Sequence, residues 1–287
     1  MSLQVNSERT ETILSKLQPY LVCTPYNRPF LDTAPYGAQI PEANIINPLI
    51  VGSETFLDLL QIMDALTFGP EGMPMSRWVF YDGSELPGGI FGFGMPASDV
   101  DAEIRKSYHI PDDYEGLVPF SMYIAIPTPE KDTWFGHNLA SLNPVFPDLG
   151  LSGLGTVTKS LGLKAFGCDI QVGATQWDSS ALFIHTRFGP LELETAFTPA
   201  HSEIMTLTYI ARCTDNNLKA ALGDPGAHQV RPEADLWIRS DRPDDARALH
   251  LRIEAGEKFC VCDRPRIASD SDPGHEKVLE VPVAKIS

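Results

Sequence analysis

The spacing of apolar residues divides the chain into a mixed first half and a strand-led second half. Ile13, Leu14 and Leu17 recur at helical spacing over residues 8–18 and stop at Pro19, after which a proline-rich extended stretch runs to about residue 50. Phe56, Leu59, Leu60, Met63 and Leu66 form the apolar stripe of a second helix. Ser53 stands at its N-cap, with Glu54 and Asp58 near its start and Gly69-Pro70 at its end. Strand-like runs follow at 77–81 and 90–94, then a helix capped by Ser98 and reaching Lys106, then a β run over 118–126. From residue 168 the pattern is a meander of short runs at 181–188, 191–197, 204–213, 236–239, 248–254, 259–262 and 278–283. Gly189-Pro190 reads as the hairpin turn between the first two. In that register His185, Arg187, Glu192 and Glu194 share one strand face, while Leu182, Ile184, Leu191 and Leu193 share the other. The expected class is α+β, mainly antiparallel, as a partly closed barrel or large curved sheets. A single domain over 1–287 is expected, with 1–25 as an N-terminal helical extension.

One segment breaks the amphipathic rule. Residues 151–166 read as a Gly-rich turn into a helix with Leu154, Val157, Leu161 and Ala165 on one side and Lys159, Leu163 and Phe166 on the other. A helix apolar on both sides is a central one, and an amine held among such neighbours is pushed toward its neutral, nucleophilic form. Lys159 is therefore the leading candidate for chemistry, with Lys164 second; the alternative is that Lys159 lays its stem on Leu163 and reaches water. Gly153 followed, after four intervening residues, by Thr158-Lys159-Ser160 falls short of a phosphate-binding loop, because the second glycine is missing. Gly88, Gly89, Gly92 and Gly94 likewise miss the dinucleotide pattern and mark close backbone approach.

Composition narrows the function classes. The 287 residues are 43% hydrophobic and 21% charged, enough for a large core. Lys and Arg number 22 against 38 Asp and Glu, and 22 − 38 leaves a formal charge of −16, which repels nucleic acid and anionic membranes. The charged N-terminus lacks the apolar run of a secretory signal, no apolar run approaches about 18 residues, and five scattered cysteines describe no disulfide framework. A cytoplasmic protein is expected, without a metal: Cys260 and Cys262 read as neighbours on one side of a strand. No serine-nucleophile elbow is present, and seven histidines include no pair at metal spacing. His185 and Arg187 would serve as a carboxylate site if their strand face lined a lumen.

The order of several segments resembles the acetoacetate decarboxylase family. Tyr26-Asn27-Arg28-Pro29-Phe30 resembles its early Asn-Arg segment, Gly136-His137-Asn138-Leu139 its Gly-Arg-Glu-Leu, and Thr158-Lys159-Ser160-Leu161 its Pro-Lys-Lys-Leu, over roughly residues 26–210. The resemblance implies an antiparallel β fold with one central helix, a few peripheral helices and a central cavity. It implies a cofactor-independent lyase in which Lys159 forms a Schiff base with a β-keto acid, Arg28 clamps the carboxylate and Glu85 is the nearest acid for proton handling. His137, Asn138 and Ser160 would touch substrate. Here Ser160 stands where the family has its Schiff-base lysine, and His137-Asn138 replaces Arg-Glu. A non-catalytic protein binding a small carboxylate or apolar ligand on the same fold is the alternative, and self-association into a homo-oligomer is compatible with either.

Overall fold

The computed structural model describes residues 3–71, 74–85, 88–201, 205–269 and 277–287. They form two compact units, residues 1–168 with 222–225 and residues 169–221 with 226–287. Among the described residues no helix is long and apolar enough to cross a membrane.

The first unit opens with α1 (Glu8–Lys16), whose N-cap Ser7 accepts from the Thr10 amide while Glu8 and Glu11 sit in the positive first turn. The segment expected as an extension also supplies β1 (Gln18–Val22), an inner strand paired to β2 (Ile45–Ile46) and to β3 (Gly89–Pro96). Helix α2 (Glu54–Phe68) buries Phe56, Leu59, Leu60 and Met63 as its stripe requires. Its expected cap differs: the Ser53 hydroxyl donates to the Asn47 carbonyl instead. The run at 77–81 is not a strand but the start of α3 (Arg77–Ser84), because Phe80, Gly83 and Ser84 bury one helical face. Short apolar runs carry both periods, and here tertiary packing selects the helix. Helix α4 (Ala102–Ser107) is capped by Asp101, which accepts from the Glu103 and Ile104 amides at 3.0 Å each, and not by Ser98. Strands β4 (Leu117–Pro127) and β5 (Thr133–Ser141) continue the sheet in the order β2-β1-β3-β4-β5, antiparallel except for β1–β2, and α5 (Leu154–Ala165) closes the unit.

Helices cover both faces of this sheet. Thr158 and Gly162 of α5 meet Ser121, Tyr123 and Phe91, whereas Gly83 of α3 meets Ile124. Since successive strand residues point to opposite faces, α5 lies on one side and α3 on the other. Two glycines let these layers close. A side chain at Gly92 would collide with the Ser121 carbonyl and the Tyr20 ring, and one at Gly162 would come within 2.9 Å of the Tyr123 ring. The Tyr20 ring crosses over Gly92 to donate to the Ser121 carbonyl at 2.8 Å, and meets Phe56 of α2 edge-on.

The second unit contains β6 (Ile170–Gln176), α6 (Leu182–His185), β7 (Leu191–Thr195), β8 (Thr206–Arg212), α7 (Asp215–Leu222, through Ala221), β9 (Leu236–Arg239), α8 (Pro243–Glu254), β10 (Lys258–Val261), β11 (Arg266–Ile267) and β12 (Leu279–Ile286). Its strands run β6-β8-β7-β10-β12-β11, with β9 also on β12, and all these pairs are antiparallel. Among the described residues the strands of neither unit close into a barrel. The expected closure rested on an unbroken meander, and two of its runs are helices. Residues 181–188 form α6 and a 3-10 turn, burying Leu182, His185 and Thr186 at helical spacing. Residues 248–254 lie in α8, where Pro243 sits at the first turn with Asp244 and Asp245, and Ala246 and Leu249 enter the core. Consequently Gly189, at φ 111°, ends that 3-10 turn ahead of β7 and is not a hairpin corner. The core gathers Trp177, Leu207, Phe259, Val281 and Val283 around these strands and α8, and the Trp177 indole donates to the Ala196 carbonyl at 2.7 Å.

Candidate active site

Helix α5 is the most deeply set helix of the first unit. All its residues except Lys164 are buried, and Lys159 is 0% exposed. The chain enters it through Gly153 at φ 83°, a left-handed conformation that suits glycine, and this turn lets the Arg9 stem pass close by. Thr158 fastens the helix to the sheet. Its hydroxyl donates to the Leu154 carbonyl at 2.8 Å, so the 2.7 Å contact with Ser121 is a bond in which Ser121 donates to Thr158. The Ser121 oxygen in turn accepts from the Phe93 amide at 3.2 Å. At the far end of α5, Phe166 stacks on Trp134 with ring centroids 5.2 Å apart, and the Asp32 amide donates to the Ala165 carbonyl. Lys164, the second candidate amine, holds its ammonium 5.1 Å above the Tyr36 ring. Thr158-Lys159-Ser160 thus lies inside a buried helix and not in a loop that could wrap a phosphate.

Lys159 and Ser160 are neighbours on this helix, both 0% exposed. The other expected residues of the first unit lie elsewhere. Arg28 is a surface residue ion-paired to Glu42, whose hydrogen bond holds the guanidinium pKa up. Asn138 projects to the face opposite α5, donating to the buried Asp64 carboxylate at 3.1 Å. His137, although its side chain reaches the surface, is shifted toward its neutral form mainly by partial desolvation, and it feels the charge of Asp82 on α3. Glu85 follows α3 and borders an open groove of about 650 Å³ between α2, α3 and residues 48–51. The sheet therefore separates His137 and Asn138 from α5.

In the second unit, His185 is 9% exposed with its ring 5.5 Å from that of Tyr209, whose phenol burial holds well above the usual range. The Arg187 carbonyl accepts from Gln229 at 2.7 Å. These two residues occupy α6 and the turn after it, so the shared strand face expected for them with Glu192 and Glu194 does not exist.

Asp64 escaped sequence reasoning. It is 1% exposed, accepts from the Met75 amide at 2.6 Å and from Asn138, and burial raises its carboxyl pKa against these two hydrogen bonds. A carboxylate four residues after Leu60 and next to Met63, inside the stripe of α2, was the available signal. Among the described residues no three His, Cys, Asp or Glu side chains cluster so as to hold a metal ion. Comparison with protein-family models, with curated proteins and with solved structures gives no match.

Proposed function

We propose that this protein is a cofactor-independent lyase of the acetoacetate decarboxylase type, in which the Lys159 amine attacks the carbonyl of a small β-keto acid. The observation that carries this reading is the complete burial of Lys159 in a helix whose residues are, Lys164 apart, all buried. A neutral amine is the nucleophile such chemistry needs. Attack by the amine nitrogen on the keto carbon gives a carbinolamine, which takes up a proton and loses water to give an iminium. The bond to the carboxylate carbon then breaks, its electron pair moves toward the iminium nitrogen, and CO₂ leaves. The resulting enamine takes a proton on carbon, and water hydrolyses the product iminium to a ketone, the free amine and a proton.

A second reading is favoured by a separate observation: Arg28 engages Glu42, and the sheet divides His137 and Asn138 from α5. On that reading the chain binds a small carboxylate without turning it over. Incubation with acetoacetate and borohydride, followed by peptide mass spectrometry, separates the two. A reduced adduct on Lys159 is expected. Thermal stabilisation by acetoacetate without an adduct would favour the binding protein, and neither adduct nor stabilisation would defeat both readings.

A further inference from the structure

The groove bordered by Glu85 combines an apolar floor with an acidic rim, and this pairing defines an occupant. Leu49, Ile50 and Val51 precede α2, and Trp78 and Tyr81 project from α3. They are among the most exposed large apolar residues of the unit, with Trp78 72% and Val51 87% exposed. Trp78 and Tyr81 pack edge to face at 5.6 Å and together form a solvent-exposed aromatic wall of the groove. A contiguous exposed patch of this kind, edged by charge, is the mark of an interaction surface.

The edge is one-sided. Glu54 and Asp58 on α2 and Glu85 after α3 supply three carboxylates against the single guanidinium of Arg77. Among the described residues no ion pair or side-chain hydrogen bond occupies any of the four. The volume suits a small molecule, but a small ligand would leave Val51 and Trp78 largely in water. A helix laid along the groove covers them. A second copy of this chain would bring another acidic groove and a formal charge of −16 against the first, and nucleic acid or an anionic membrane would meet the same repulsion.

We infer that this groove docks an amphipathic helix of a partner protein, its aliphatic or aromatic residues at i, i+3, i+4 and i+7 seated on Leu49–Val51 and Trp78 and its flanking Lys or Arg residues meeting Glu54, Asp58 and Glu85. The site is separate from Lys159 and does not depend on the proposed chemistry.

The test uses the full-length protein and a fluorescein-labelled helical peptide built of leucine and lysine with that spacing, followed by anisotropy. Trp78→Ala is expected to weaken binding at least about tenfold, as for an interface anchor. Glu85→Lys should weaken it and reduce its salt dependence, and the same peptide with glutamate for lysine should not bind. Trp237→Ala, which alters an exposed tryptophan of the other unit, should leave affinity unchanged. Equal binding to wild type and to both Trp78→Ala and Val51→Ser would overturn the proposal, as would equal binding of the glutamate peptide. So would sedimentation showing a dimer that Trp78→Ala dissociates, since the groove would then be a self-interface.

Discussion

At the scale of single residues, α5 is fastened to the sheet by the hydroxyl pair of Ser121 and Thr158. Ser121 has one proton, given to Thr158, and one accepted bond, from the Phe93 amide. Thr158→Val removes the acceptor and leaves a buried hydroxyl unsatisfied, which costs about 1–3 kcal/mol. Urea denaturation of that variant should show a loss in this range. The double variant Thr158→Val/Ser121→Ala should lose less than the sum of the two single changes, because the residues share one bond. Strict additivity would mean that the two hydroxyls act independently. Lys159 differs from this pair in kind. Its burial puts a titratable amine where a leucine would cost nothing to desolvate, and that contrast, not the amine alone, makes it the candidate for chemistry.

At the scale of elements, sequence periodicity located α1 and α2 by their stripes, β3, β4, β7, β8, β9, β10 and β12 by their short apolar runs, and α5 by apolar residues on both of its sides, but it did not read β5 or β6 as strands. It misread 77–81, 181–188 and 248–254, each of which carries apolar residues compatible with either period over a few turns. For the last of these, Pro243 followed by Asp244 and Asp245 was a readable helix start. The buried setting of Lys159 was legible in the absence of any polar face on α5. The separation of His137 and Asn138 from that helix was not, since it depends on strand parity through the bulge between Ile124 and Ala125. Gly162 tests how tightly α5 sits on the sheet. Alanine there gains up to about 1 kcal/mol of helix propensity, whereas forcing a methyl against the Tyr123 ring and the Phe91 Cβ at 3.2 Å costs about 1–3 kcal/mol. Packing should win. Gly162→Ala is expected to lower the denaturation midpoint, and an unchanged or raised midpoint would show that the layer has room to move.

At the scale of the whole molecule, a surplus of 16 acidic groups makes stability depend on pH, and individual carboxylates respond with opposite sign. Burial raises the Asp64 pKa, so Asp64 makes folding less favourable as pH rises from its unfolded value, 3.8, through its folded one. Glu257 behaves in the opposite way. Hydrogen bonds from Arg252 at 2.9 Å and Lys285 at 2.7 Å hold it down to about 2, against an unfolded value of 4.5. Its contribution is complete above 4.5 and disappears as pH falls toward 2, because the folded chain then resists a proton that the unfolded chain accepts. The trio ties the turn after α8 to the end of β12, and its partial exposure leaves it open to screening by salt. Glu257→Gln should therefore be less stable than wild type at pH 7 in low salt. Measured by urea denaturation at pH 7 and pH 3, on either side of the sequence isoelectric point of 4.7, the gap should shrink at pH 3 and shrink again at pH 7 when salt is added. A gap of the same size under all three conditions would assign the loss to packing of the side chain and not to its charge.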